Sequence, residues 1–238
     1  MKGAEKKNEK VGLSLIIPAY NEEKRIGSVI KEYTRFLESK SLDYELIVVA
    51  DGQDDTPLEA KKTRNKKLRI IESKERLGKG GGIFTGIRAS KGSIIAFVDS
   101  DMSVSASDFW KIFSSANKDN CAIGSRRSQG SLVTQKQPFM RRVMSRIFNI
   151  YIRTLFGLQI SDTQCGAKAF PAEALSKVLD FMRSRGFEFD VELLWRLKKE
   201  GLGIIEVPVN WAHEDGSTFS LSHGPRMLFL LFLRRVGI

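Results

Sequence analysis

Two hydrophobic patterns alternate along this chain. Short unbroken apolar runs at Leu13–Ile17, Tyr44–Ala50, Leu68–Ile71, Ser93–Val98 and Cys121–Gly124 predict strands. Between them, Ile26–Leu37, the Lys-rich Leu58–Asn65, Gly82–Ala89 and Ser107–Ala116 predict helices. A strand that is apolar throughout has no face suited to water. The alternation therefore predicts an α/β fold: a Rossmann-like, mostly parallel sheet with helices on both faces. Residues 1–10, MKGAEKKNEK, are charged rather than apolar, which predicts a flexible tail and not a secretory signal. Residues 11–238 are expected to form a single domain, since neither an internal repeat nor a linker interrupts them.

After Gly124 the pattern changes. Ser125–Lys136 is polar and predicts a mobile loop. Pro138 then opens a predicted helix, Phe139–Phe156. Its apolar residues Met140, Val143, Met144, Ile147, Phe148, Tyr151 and Leu155 recur at three and four, with Arg142, Arg146, Asn149 and Arg153 between them. This is a basic amphipathic helix. Near the end, Met227–Leu233 is apolar and flanked by Arg226, Arg234 and Arg235, but it is too short to span a bilayer.

Charge sharpens this picture. Lys and Arg number 39 against 28 Asp and Glu, a net +11. The acid-free stretches 120–161 and 219–238 hold ten of those excess charges. The partner expected is polyanionic. Aliphatic rather than aromatic residues interleave the cations, which favours an anionic membrane surface over nucleic acid. No run of eighteen apolar residues exists, so the expected location is cytoplasmic, peripherally bound to the cytoplasmic face of a membrane. Cys121 and Cys165 are the only cysteines, too few for a disulfide framework or an all-thiolate zinc site.

In open α/β sheets ligands bind beyond the carboxyl ends of the strands. Pro18-Ala19-Tyr20-Asn21-Glu22, Asp51-Gly52-Gln53-Asp54-Asp55 and Asp99-Ser100-Asp101 each follow a predicted strand, so acid gathers at three such ends. Alternating carboxylates after an apolar strand suit Mg²⁺ or Mn²⁺ held together with phosphate oxygens. Asp101 or Ser103 could instead cap a helix. The glycines of Leu77-Gly78-Lys79-Gly80-Gly81-Gly82 fit neither the dinucleotide nor the P-loop spacing, which leaves a nicotinamide or ATP fingerprint unsupported. They still allow close approach to a ligand, with Lys79 able to meet a phosphate.

In this order, PAYNE, ADGQDD, LGKGGG and DSD resemble the inverting family 2 glycosyltransferases of GT-A fold. Gly124-Ser125-Arg126 resembles a segment of polyprenyl-phosphate sugar synthases. Asp162-Thr163-Gln164-Cys165-Gly166, Gly186–Leu194, Val207–Trp211 and Gly216-Ser217 are similar to segments of the dolichyl-phosphate β-glucosyltransferase branch. The resemblance implies a nucleotide-binding part at about 11–124 and an acceptor- and membrane-facing part at about 125–238. It implies that Pro18, Ala19, Tyr20, Glu22, Asp51, Lys79, Asp99 and Ser100 bind the nucleotide sugar. Asp99, Asp101 and Ser103 would hold the metal, and Arg126, Arg141 and Ser145 the acceptor phosphate. Asp162, with Asp101, would be catalytic. The implied donor is UDP-glucose, alternatively GDP-mannose; the implied acceptor is dolichyl or another polyprenyl phosphate. Two other classes compete. A nucleotidyltransferase would carry a Gly-rich loop directly after the first strand, where PAYNEE stands. A nucleic-acid-binding module would rest on net charge alone.

Overall fold

A computed structural model describes residues 11–133, 139–211 and 223–236. The predicted tail, Pro138 and Gly216-Ser217 lie outside them. The first half follows the predicted alternation: β1 (Leu13–Ala19), α1 (Ile26–Glu38), β2 (Tyr44–Ala50), α2 (Thr56–Lys62), β3 (Leu68–Glu72), α3 (Gly78–Ala89), β4 (Ile94–Phe97), α4 (Ala106–Ser115) and β5 (Asn120–Ser125). Then come the short β6 (Leu132–Val133), α5 (Phe139–Phe156), β7 (Lys168–Pro171), α6 (Ala172–Val178), α7 (Phe189–Lys199), β8 (Gly203–Pro208), β9 (Asn210–Trp211) and α8 (His223–Val236).

The seven-stranded sheet runs β3-β2-β1-β4-β7-β5-β8. Every neighbour pair is parallel except those of β7, which lies antiparallel between β4 and β5. The expectation of a mostly parallel sheet holds, while β7 and β8 were not among the predicted strands. Lys168–Pro171 is only four residues long and opens on a charge, so it carries no strand signal of its own. β6 and β9 form a separate parallel pair, placing a short strand inside the predicted 125–136 loop.

Two apolar cores cover the two sheet faces. On one, α1 buries Ile26, Val29, Ile30, Tyr33 and Leu37, spaced three and four apart. Those five side chains contribute roughly 10 kcal/mol of gross transfer free energy. On the other, α3 starts at Gly78 rather than at the predicted Gly82. Glycine is a poor helix former, but packing overrides propensity here. A Cβ on Gly80 would lie 2.5 Å from the Phe189 Cβ, and one on Gly86 would lie 2.5 Å from Ile16. Only glycine lets α3 approach β1 and α7 this closely.

Candidate active site

The loops after β1, β2 and β4 and the start of α3 converge on one cleft. Pro18, Ala19, Tyr20, Glu22, Asp51, Lys79, Asp99, Ser100 and Asp101 all line it, together with Arg25, Arg76, Gly78 and Phe187. The backbone turns sharply at Asn21 (φ 55°) and again at Met102 (φ 60°), where the chain leaves the sheet. Tyr33 on α1 donates a hydrogen bond to the Val104 carbonyl (2.8 Å), which fixes the segment after Asp101 from below.

Asp51 organises one wall of this cleft. It is buried, and one of its oxygens accepts the backbone N–H groups of Leu77 (2.9 Å) and Gly78 (3.0 Å), at the N-terminus of α3. A carboxylate is well placed against that positive helix end. Its other oxygen pairs with Arg76 (2.9 Å), whose guanidinium stacks on the Tyr20 ring 3.2 Å from its centroid. Arg76 therefore presents a flat cation at the cleft wall. It sits in the polar stretch Ser73–Arg76, which gave no signal in sequence. Glu22 is held by Arg25 through a two-pronged pair (2.8 and 3.0 Å), and its backbone N–H donates to Thr56 Oγ1 (2.8 Å).

Beyond β4, Asp99 donates its backbone N–H to the Gly166 carbonyl (3.1 Å). A Cβ on Gly166 would fall 1.9 Å from Asp99 Oδ2, so glycine at 166 makes room for this carboxylate. Asp101 Oδ1 accepts the Ser103 N–H (2.9 Å). The cap of α4 is neither Asp101 nor Ser103 but Ser105, whose hydroxyl accepts the Asp108 N–H. Ser103 is buried beside Asp101. Lys79 Nζ lies 2.9 Å from Asp99 Oδ1 and 3.9 Å from Asp190 Oδ2. Burial pulls its pKa down, but Asp99 and Asp190 outweigh burial and hold the ammonium above its ordinary value. Behind it, fully buried Lys168 bonds Asp190 Oδ1 (2.8 Å) and the Cys165 carbonyl (2.6 Å). Asp190, in the first turn of α7, joins two lysines beneath the cleft.

Among the described residues, no group of three or more His, Cys, Asp or Glu comes together as a metal cage. Asp99 and Asp101 still suit Mg²⁺ or Mn²⁺, because such cations often take one or two carboxylates and complete their shell with phosphate and water.

A second cluster lies past β5. Arg126 grips Asp162 through Nε (2.6 Å), Nη2 (2.8 Å) and its backbone N–H (3.0 Å). Burial pushes the Asp162 carboxyl up, but Arg126 outweighs it and holds the group at about 2. Such a carboxylate is a weak base. Glu206 on β8 accepts the N–H groups of Ser161 (2.9 Å) and Asp162 (3.1 Å), fixing this loop. Neighbouring Arg127 donates to Ser145 Oγ on α5 (2.5 Å) and to the Ser161 carbonyl (3.2 Å). Arg141 belongs to α5, but its side chain lies outside the described residues. Cys165 is buried, and burial followed by Asp162 pushes its thiol up to about 11, so it packs and does not attack. Sequence reasoning missed Arg76, Arg127, Lys168 and Glu206; only Arg127, beside Arg126, gave a hint.

α5 and α8 pack together, with the Tyr151 hydroxyl donating to the Leu228 carbonyl (3.0 Å) and Arg235 Nε to the Leu155 carbonyl (2.9 Å). They leave Ile147, Ile150, Phe229, Phe232 and Val236 exposed. Among the described residues no helix is long and apolar enough to cross a membrane.

Comparison with known proteins gives a consistent result. The family model for Glycosyl transferase family 2 matches residues 14–179. A dolichyl-phosphate beta-glucosyltransferase of Dictyostelium discoideum is 32% identical over 226 residues, covering 88% of this chain and 69% of that protein. One of Drosophila melanogaster is 33% identical over 244 residues, covering 93% and 74%. In three dimensions the chain resembles glucosyl-3-phosphoglycerate synthase from Mycobacterium tuberculosis, solved in complex with Mn²⁺, UDP and phosphoglyceric acid. That match has a TM-score of 0.73 at 22% identity, over 95% of this chain and 79% of the other.

Proposed function

The chain belongs to glycosyl transferase family 2 and is a GT-A-fold glycosyltransferase, and from that premise we propose that it transfers glucose from UDP-glucose to dolichyl phosphate, or a related polyprenyl phosphate, with inversion at a membrane surface. The observation that carries the reading is the meeting of two unlike sites at the β4–β7 junction. An acidic, arginine-rimmed cleft suits a metal and a nucleotide diphosphate. An arginine cluster suits a phosphate. Gly166 touches the first, and Asp162, four residues earlier, anchors the second.

Each part has a role in this reading. Tyr20, Asp51 and Arg76 flank the nucleotide. Asp99 and Asp101, with Ser103 beside them, would hold Mg²⁺ or Mn²⁺. When bound, the cation neutralises charge growing on the departing nucleotide diphosphate. Lys79 contributes a second positive charge at Asp99. An acceptor phosphate oxygen attacks the anomeric carbon from the face opposite the nucleotide. The bond from that carbon to the diphosphate oxygen breaks, and UDP leaves with the bonding pair. A phosphate monoester, with a second pKa near ~6, is already largely ionised at neutral pH. No strong base is needed, so Asp162 serves the reaction by holding Arg126 and the 161–162 loop. The exposed apolar residues of α5 and α8, bordered by Arg146, Arg226 and Arg235, suit the headgroup boundary where a prenyl phosphate resides.

The test is transfer from radiolabelled UDP-glucose and GDP-mannose to dolichyl phosphate, with Mg²⁺, Mn²⁺ or a chelator. Divalent-dependent transfer from UDP-glucose is expected. Transfer from GDP-mannose alone overturns the donor, and transfer undiminished by chelation overturns the metal. No transfer from either donor overturns the acceptor.

A further inference from the structure

We propose that Lys79 competes with the divalent cation for Asp99, with Asp190 as its alternative seat, so that the protein alone holds Mg²⁺ or Mn²⁺ weakly and a nucleotide diphosphate makes that binding strong. This rests on the metal and donor reading above and adds a dependence of one ligand on the other.

The competition is visible in the contacts of Asp99. Lys79 Nζ lies 2.9 Å from its Oδ1. The other oxygen, Oδ2, packs against Gly166, where an added Cβ would fall 1.9 Å from it. The ammonium therefore sits on the oxygen that the backbone leaves more open. An ammonium has three protons and no lone pair, so it cannot share in holding a cation and can only repel one.

The helix that carries Lys79 cannot take it away. The Leu77 and Gly78 N–H groups are fixed by Asp51, and the Gly81 N–H donates to the Arg185 carbonyl (3.0 Å). Only the side chain is left to move, on a flexible four-carbon stem. A second seat stands beside the first. Lys168 takes Asp190 Oδ1 at 2.8 Å, which leaves Oδ2, 3.9 Å from Lys79 Nζ. That gap is about 1 Å longer than a hydrogen bond. Asp190 and Lys168 are both buried and hold each other in place. Lys79 is thus a movable cation between two fixed carboxylates.

Charge decides what such a site can hold. Asp99, Asp101 and Asp190 are opposed by Lys79 and Lys168, a surplus of one negative charge. The other carboxylates of the cleft, Asp51 and Glu22, are each matched by an arginine. This is a thin attraction for a dication that finds only two carboxylates on offer. A diphosphate supplies the missing oxygens, as is usual for Mg²⁺ sites of this kind. Its negative charge also offsets the repulsion between Lys79 and the cation.

The experiment measures Mn²⁺ binding to the full chain, alone and with UDP, from the electron paramagnetic resonance signal of free Mn²⁺. Values with UDP are corrected for the complex that UDP forms with Mn²⁺ in solution. Wild type, Lys79→Met, Lys79→Ala and Asp99→Asn are compared, with Tm recorded for each. The wild type is expected to bind Mn²⁺ weakly alone and more tightly with UDP. Lys79→Met should tighten binding to the protein alone roughly tenfold to a hundredfold, the effect of one fewer positive charge beside a dication in a half-screened cleft. The gain from UDP shrinks in proportion. Lys79→Ala gives the same shift and decides the matter should Lys79→Met unfold. A lysine that only braces the cleft would leave Mn²⁺ affinity unchanged or lower it. If Asp99→Asn weakens Mn²⁺ binding in the presence of UDP, while neither lysine variant alone binds Mn²⁺ more than twofold tighter than wild type, this inference falls and the metal reading stands. A wild type that binds Mn²⁺ equally well with and without UDP overturns it in the same way. Mn²⁺ binding with UDP that is absent, or that Asp99→Asn leaves within twofold, overturns the metal reading and this inference together.

Discussion

Replacing Asp162 with asparagine keeps the shape of the side chain and removes its charge. Its carboxyl is held at about 2 against an ordinary 3.8. At roughly 1.4 kcal/mol for each tenfold change in proton affinity, keeping this group ionised stabilises the folded state by about 2–3 kcal/mol. The variant loses that and also leaves Arg126 without its partner. Breaking a fully buried pair costs about 3–5 kcal/mol. The Arg126 side chain, however, keeps 21% of its surface exposed, and water can take over part of the pairing. The expected loss at pH 7 is therefore about 2–4 kcal/mol. The pH dependence has a definite sign. The folded pKa is depressed, so the stabilisation is fully present above the unfolded value near 4. It fades as pH falls through about 2. At pH 3 the gap between wild type and variant should already be smaller by about 1 kcal/mol. Urea denaturation followed by tryptophan fluorescence, at pH 7 and pH 3, measures both quantities. The reasoning is refuted by a variant within 0.5 kcal/mol of wild type at pH 7, or by a gap that does not narrow at pH 3.

Three further outcomes follow from the same geometry. Asp190→Asn strands the fully buried Lys168 ammonium and should cost about 3–5 kcal/mol; the double replacement Lys168→Met with Asp190→Leu should cost less, and chemical denaturation of both variants checks this. Gly80→Ala brings a methyl to 2.5 Å from the Phe189 Cβ and 2.9 Å from the Gly186 carbonyl, neither of which can swing aside. A loss of about 1–3 kcal/mol is expected, together with weaker UDP binding by calorimetry as α3 shifts in the cleft. Phe229→Ser with Phe232→Ser removes two rings that are 61% and 47% exposed. Folding stability should change by less than about 0.5 kcal/mol per site, while partitioning onto anionic vesicles in a sedimentation assay falls at least tenfold.

Much of this cleft was legible in sequence because its parts sit at the ends of unbroken apolar strands. Pro18, Asp51 and Asp99 each follow such a run, and strand ends converge by topology alone. Features fixed by distant partners were not legible. β7 owes its place to pairing on both sides rather than to its own four residues. The glycine at 80 in the first turn of α3 answers to Phe189, more than a hundred positions away. Sequence shows how far Asp190 stands from a helix start, but not the Lys168 opposite it. Arg126 and Arg127 are indistinguishable as letters, and only the side-chain directions in space separate the one facing Asp162 from the one facing Ser145.

The position of β7 also governs the order in which this sheet can be built. During synthesis β1 to β4 emerge early and can pair among themselves, and β5 follows. Yet β4 and β5 never touch as neighbours; both wait for Lys168–Pro171. Until those residues leave the ribosome, the growing chain carries an unfinished edge on β4. Such an edge is a hazard for self-association. The late strand closes that edge and, in the same event, carries Gly166 against Asp99 and Asp162 against Arg126. A nascent chain cut short of Lys168 should therefore be sticky as well as inactive, with neither cleft complete.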